Sequence, residues 1–130
     1  MRSPPLLDRA VWDEMAAQIG SEALRAVLDL FLTEMRSFVC VLQQAEATPR
    51  EPAARERARR AAHSLKSSAG QIGAAMLSAA ARDVERMAED GASLGSAVAA
   101  LVSCAEQTEA ALRTVSAERG PPDEDALRQS

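Results

Sequence analysis

Residues 21–47, SEALRAVLDLFLTEMRSFVCVLQQAEA, form the most strongly amphipathic stretch of the chain. Apolar side chains recur there at steps of three and four residues: Leu24, Val27, Leu28, Phe31, Met35, Phe38 and Leu42. This period places them on one face of an α-helix. A helix of this length extends roughly 40 Å. The stretch therefore predicts a long helix that buries one face along a continuous core.

A short helix is predicted before this stretch, over residues 8–19. Asp8 is suited to cap its N-terminus, and Gly20 is suited to end it. Trp12 belongs to its apolar stripe, so we expect this helix to cover the core as a lid. Residues 1–7 are predicted as an N-terminal tail.

Three more helices are predicted after the long one. Two prolines interrupt the apolar pattern within residues 48–52, so the next helix begins in this window and continues to about Gly73. The following two cover residues 74–90 and 93–117. Residues 118–130 are polar and rich in proline, which predicts a disordered C-terminal tail.

The composition favours an all-α fold. The chain has 130 residues, with two phenylalanines, one tryptophan and no tyrosine, whereas β-sheets are enriched in aromatic and β-branched residues. Alanine, leucine, glutamate and arginine, which are strong helix formers, dominate instead. We predict one domain over residues 8–117, an antiparallel up-down four-helix bundle with a short N-terminal lid helix.

Charge and cysteine content exclude several classes of protein. The formal net charge is −4, which argues against nucleic-acid binding because that needs a basic surface. Cys40 and Cys104 lack the spacing of a metal site or a disulfide framework, so both are predicted to be buried free thiols. No segment has the length of a membrane span or the pattern of a signal peptide, which predicts a cytoplasmic protein or a domain cut from a larger receptor.

The single histidine, His63, and the single lysine, Lys66, lie three residues apart in one predicted helix. A helical wheel over residues 54–72 places His63 opposite the apolar face. Its neighbours on that face are the acidic Glu56, the small residues Ser67 and Gly70, and three cations, Arg59, Arg60 and Lys66. An exposed imidazole is largely neutral near pH 7 and can act as a nucleophile. With cations beside it, this patch is suited to carrying a phosphoryl group on histidine. We expect a partner protein to dock on the surface formed by Arg59, Arg60, Ser67 and Gly70.

Two plainer interpretations stay open at this point. His63 is equally an idle surface histidine, and the arginine-rich run before it is also typical of a solvated helix face. Other chemistry has less support, because the chain contains no HExxH motif, no GxxxxGK[ST] loop and no GxSxG elbow. We therefore expect no nucleotide site, no metal site and no hydrolase or kinase activity in this chain.

The segment His63-Ser64-Leu65-Lys66-Ser67-Ser68-Ala69-Gly70-Gln71-Ile72-Gly73-Ala74 resembles the signature of the histidine-containing phosphotransfer (Hpt) domain family. That signature is His-x-Leu-Lys-Gly-Ser, a small residue, two variable residues, an apolar residue, Gly and a small residue. A weaker similarity extends over residues 6–115. The resemblance implies a helical bundle that shuttles phosphoryl groups between the receiver domains of two-component signalling proteins.

The resemblance also implies roles for individual residues. His63 would accept phosphate from a receiver aspartate, and Lys66 would contact the phosphoryl oxygens. Glu85 matches a family position on the next helix whose side chain orients the imidazole, although it is also readable as a plain surface charge. Ser67 departs from the usual glycine and narrows the space beside His63. Gly73 matches the second glycine of the signature.

The expected partners are receiver domains of a hybrid sensor kinase or of response regulators. The receiver would supply Mg²⁺, so no cofactor is expected in this chain, and a monomer is the default. A non-catalytic helical adaptor that binds a receiver or a sensor kinase is the alternative hypothesis. A regulatory module within a larger sensor kinase is a third.

Overall fold

The computed structural model describes residues 3–118, and these form four α-helices. The helices are α1 (Arg9–Ala47), α2 (Pro52–Ile72), α3 (Ala75–Glu89) and α4 (Gly95–Ala117). Successive helices pack on each other, and α1 closes the bundle against α4. Among the described residues no helix is long and apolar enough to cross a membrane. The predicted all-α four-helix bundle is confirmed.

Helix α1 combines the predicted lid helix with the long amphipathic helix. Gly20 interrupts it with a non-helical conformation (φ 82°, ψ 167°), so the predicted boundary is a kink inside one element. The Asp8 carboxylate accepts hydrogen bonds from the backbone N–H groups of Ala10 and Val11, at 3.1 and 3.4 Å, and caps the helix as expected. Trp12 and Ala16 are buried, so the segment before the kink covers the core.

Helix α2 begins at Pro52, inside the predicted window. Its buried face consists mainly of alanines, and Ala58, Ala62 and Ala69 are completely buried. Small side chains allow two helix backbones to approach closely, and α2 packs most extensively against α3. This close pair carries the predicted site residues.

The turn between α2 and α3 is held by the N-terminal segment. Gly73 ends α2 with a left-handed conformation (φ 87°). Its carbonyl accepts a 2.7 Å hydrogen bond from the Asp8 N–H, and the Met76 N–H donates to the Pro5 carbonyl at 3.0 Å. A Cβ atom on Gly73 would lie 2.9 Å from the Asp8 carbonyl oxygen, so the N-terminal segment fits only against glycine.

Two expectations about burial are wrong. Cys104 is buried as expected, but Cys40 is exposed, because it lies on the outer face of α1 with its thiol 3.7 Å from the Gln44 amide nitrogen. Val27 was expected in the core and is 38% exposed. The predicted C-terminal tail falls outside the described residues from position 119 onward.

Candidate functional site

The His63 imidazole stands on the outer surface of α2. Its side chain is 58% exposed, whereas Ala62 and Leu65 on either side of it are completely buried. This orientation agrees with the placement by the helical wheel. The ring is therefore open to a second protein.

Glu85 joins the two predicted site residues of α2. One carboxylate oxygen, Oε2, lies 2.6 Å from His63 Nδ1, and the other, Oε1, accepts a hydrogen bond from Lys66 Nζ at 2.7 Å. The Glu85 side chain is only 10% exposed and reaches both partners from α3. The three residues form one network across the α2–α3 pair.

The charge of Glu85 determines the tautomer of His63. The hydrogen bond from Lys66 is the main cause that lowers the pKa of Glu85 below 4.5; burial opposes it, and the bond with His63 adds to it. Glu85 is therefore ionised near neutral pH, and an ionised carboxylate can only accept hydrogen bonds. The proton of a neutral His63 thus resides on Nδ1, and the Nε2 lone pair faces outward.

The two predicted docking arginines are engaged with an acidic neighbour. Arg59 donates two hydrogen bonds to the Glu56 carboxylate, at 3.0 and 2.7 Å. The Arg60 guanidinium lies 3.8 Å from the same carboxylate. Glu56 therefore offsets much of the positive charge that the helical wheel placed beside His63.

Small residues surround the imidazole on the other side. Ser67 and Gly70 are exposed one and two turns further along α2. A Cβ on Gly70 would lie 3.7 Å from the Ser78 hydroxyl, an ordinary contact. The Ser78 hydroxyl in turn donates a 2.8 Å hydrogen bond to the Lys66 carbonyl and ties α3 to α2 beside the site.

Sequence reasoning missed two features near this network. Ser78 and Arg82 precede Glu85 on α3 and line a groove beside Lys66. Arg82 lies three residues before Glu85, and this helical spacing predicts from the sequence that the two side chains are neighbours. An exposed apolar patch, formed by Val27 and Leu30, borders a second cavity between α1 and α2. Leu30 is 61% exposed, compared with 38% for Val27.

Potential metal ligands do not cluster in the part of the chain that the structure describes. Within residues 3–118, no three histidine, cysteine, aspartate or glutamate side chains cluster in a way that could hold a metal ion. The His63–Lys66–Glu85 network contains a single carboxylate and one imidazole, and its geometry is that of a proton-holding network.

Comparison with known proteins identifies the family. A comparison with curated protein sequences found no match. The fold is similar to the crystal structure of histidine-containing phosphotransfer protein B (HptB) from Pseudomonas aeruginosa PAO1, with a TM-score of 0.78 at 18% sequence identity, over 90% of this chain and 98% of that chain. The profile of the Hpt domain matches residues 26–118 and covers His63, Lys66 and Glu85. The chain belongs to the Hpt domain family, whose members carry phosphoryl groups on histidine in phosphorelays.

Proposed function

We propose that His63 is the phosphorylated residue of this carrier and that it exchanges its phosphoryl group with receiver-domain aspartates. The observation that carries the proposal is the network in which Glu85 holds the Nδ1 side of the ring while the ring itself is largely exposed. A lone surface histidine would rotate freely, whereas this one presents Nε2 to an approaching partner.

The transfer depends on charge neutralisation and on the approach of Nε2 to phosphorus from the side opposite the leaving oxygen. The Nε2 lone pair forms the N–P bond, the P–O bond of the receiver's aspartyl phosphate breaks, and the electron pair leaves on the aspartate carboxylate. The imidazole then carries a positive charge with its proton still on Nδ1. Glu85 stabilises that charge at 2.6 Å, and the reverse reaction loads the next receiver.

Lys66 is proposed to serve both the carboxylate and the phosphoryl group. It donates to Glu85 Oε1 at 2.7 Å, and an ammonium group has two further protons to donate. The side chain is 31% exposed, so these donors can contact phosphoryl oxygens on a neighbouring His63. Lys66 would thereby balance the negative charge that arrives with the phosphate.

Docking is proposed to involve the surface around the ring. The small residues Ser67 and Gly70 permit close approach of a partner to the ring. Arg59 and Arg60 lie at the edge of this surface. The apolar patch of Val27 and Leu30 adds to the area that the partner buries. The partners would be receivers of a hybrid sensor kinase or of response regulators, which supply the Mg²⁺. We further propose a cytoplasmic monomer.

Transfer of labelled phosphate tests the assignment of His63. Purified receiver domains from the same organism are phosphorylated with a labelled small-molecule donor and mixed with this protein. We expect acid-labile label on the wild type and none on His63→Gln, while Arg113→Gln, a matched change on α4, transfers normally. Acid-stable label, or label retained by His63→Gln, would contradict the proposal.

The adaptor hypothesis is not favoured. An adaptor needs a binding surface but no oriented nucleophile, and the family assignment supports a phosphoryl carrier. The same experiment separates the two hypotheses, because an adaptor would bind a receiver equally well with His63→Gln and would take up no label.

A further inference from the structure

A groove runs beside the site at the start of α3. It has a volume of about 370 Å³ and is lined by Pro4, Lys66, Ala75, Ser78, Ala79 and Arg82. The N-terminal segment forms one wall, because the hydrogen bond from the Met76 N–H to the Pro5 carbonyl holds that segment against α3. The family profile begins at residue 26, so this wall lies outside the part of the chain that defines the family.

The groove is continuous with the site through Lys66. The Lys66 ammonium bonds Glu85, which holds the imidazole, and the same side chain lines the groove. His63 and Lys66 are three residues apart on α2, and Arg82 and Glu85 are three residues apart on α3. Residues at this spacing are neighbours on a helix surface, about 5–6 Å apart at Cβ. The groove therefore adjoins the surface from which His63 projects.

Two cations line the groove: Lys66, which is paired with Glu85, and Arg82. Arg82 is exposed, and no carboxylate among residues 3–118 lies within 4.0 Å of its guanidinium. Arg59 and Arg60 differ in this respect, because Glu56 contacts both. On a protein of net charge −4, a cation beside the site without an acidic partner attracts negative groups on a docking protein.

We propose that this groove binds a carboxylate side chain of the receiver domain, and that Arg82 determines which receivers dock well. The inference rests on the proposed function, since it identifies the partner surface next to the phosphoryl pocket. A receiver that carries an aspartate or glutamate at the matching place would form a charge-assisted hydrogen bond with Arg82. A receiver with a basic residue there would be repelled.

The test compares Arg82→Glu with Arg25→Glu. Arg25 is also exposed, and it lies roughly three turns before Arg36 on α1, whose guanidinium bonds Glu109 on α4. Arg25→Glu therefore makes the same change of charge on the side of the bundle away from the groove. The probe is the receiver domain that loads the wild type fastest, and both its transfer rate and its affinity are measured at low and high salt.

We expect Arg82→Glu to lower the transfer rate constant and the affinity about three- to tenfold at low salt and to flatten their salt dependence. Arg25→Glu should behave as the wild type. Labelling of His63 by phosphoramidate, which needs no docking, should be equal in all three proteins. A reduced labelling in Arg82→Glu would instead indicate damage to the site and overturn the proposal.

The result also separates this inference from the proposed function. If the wild type takes no label from any receiver, the proposed function fails, and the affinities of the two variants for the receiver that binds the wild type most tightly still decide the role of the groove. Equal affinities and equal salt dependence for Arg82→Glu and Arg25→Glu would overturn it.

Discussion

Glu85 and Glu109 each bind two basic side chains that come from a different helix or from both sides of a helix pair, and the two networks differ in what they can do. On the α2–α3 side, Glu85 contacts His63 and Lys66. On the α1–α4 side, Glu109 contacts Arg36 at 2.8 Å and Arg113 at 3.2 Å. The pattern of charges is similar, with one acid between two bases.

Burial and the identity of the partners distinguish the two networks. The Glu85 side chain is 10% exposed and that of Glu109 is 26% exposed. Both partners of Glu109 are arginines, which stay charged and are poor nucleophiles. Glu85 holds an imidazole, a group with two nitrogens of different roles. A carboxylate that binds two basic side chains is thus ordinary surface structure. It gains a chemical role when one of those partners is a nucleophile that it orients.

Removing each carboxylate in turn should give the largest difference between the two networks. Glu85→Ala frees the ring and its tautomer, so we expect phosphate transfer from a receiver to slow by about 100-fold, as for a lost proton-holding group. Glu109→Ala removes only two ion pairs on the α1–α4 side and should leave transfer unchanged. Rapid-quench measurement of label on His63 provides both rates.

A conservative variant separates orientation from folding. In Glu85→Gln the amide oxygen can still accept a hydrogen bond from the Nδ1–H group, so transfer should recover to within about tenfold of the wild type. Equal rates for Glu85→Ala and Glu109→Ala would show that the ring needs no orienting partner.

Two glycines with left-handed backbones sharpen the contrast between the site and the rest of the bundle. Gly73 (φ 87°) closes the α2–α3 pair against the N-terminal segment, and Gly91 (φ 74°) lies in the turn after α3 with open space around it. Gly91→Ala should lower the free energy of unfolding only by the cost of holding alanine in the left-handed conformation, about 1 kcal/mol. At Gly73 the contact with the Asp8 carbonyl adds to this, so we expect about 3 kcal/mol.

Urea unfolding followed by circular dichroism measures both losses. We expect the free energy of unfolding of Gly73→Ala to be about 2 kcal/mol lower than that of Gly91→Ala. Losses that agree within error would mean that the N-terminal segment moves aside without cost and does not fix the turn.

Periodicity and capping rules predict most of the fold. The Asp8 cap, the outward direction of His63 and the helix start within residues 48–52 all follow from local rules, which hold because they involve neighbours in the sequence. Gly20 shows their limit, because a glycine that permits a stop also permits a kink between two helical segments that stay in contact. Cys40 shows another, since composition says nothing about the face on which a single residue lies.

The site was predictable only in part, because its geometry depends on packing between helices. Resemblance placed Glu85 near His63, but the shared contact with Lys66 requires the actual approach of α3 to α2. The pairing of Glu56 with Arg59 and Arg60 was present as helical spacing, three and four residues apart. The position of Arg82 beside Glu85 was available in the same way, but the groove was not, because its wall comes from the N-terminal segment, which reaches α3 only in the folded chain.

Acid titration tests both networks through the smallest expected effect. Hydrogen bonds from basic partners lower the pKa of Glu85 and, against the opposing effect of burial, that of Glu109, both below 4.5. A carboxyl group with a lowered pKa in the folded state stabilises it above the unfolded value, and this contribution disappears as the pH falls through the folded value. The gap in unfolding free energy between wild type and each Glu→Gln variant should thus be constant near neutral pH and shrink below 4.5.

Salt then distinguishes the two carboxylates. Exposed ion pairs are worth under about 1 kcal/mol and are screened by salt, whereas buried ones are screened less. We therefore expect high salt to remove most of the gap for Glu109→Gln, whose arginine partners are more than half exposed, and to leave most of it for Glu85→Gln. Urea titrations at two salt concentrations measure this, and a gap for Glu85→Gln that vanishes in salt would show that water reaches the Glu85 network as freely as the Glu109 network.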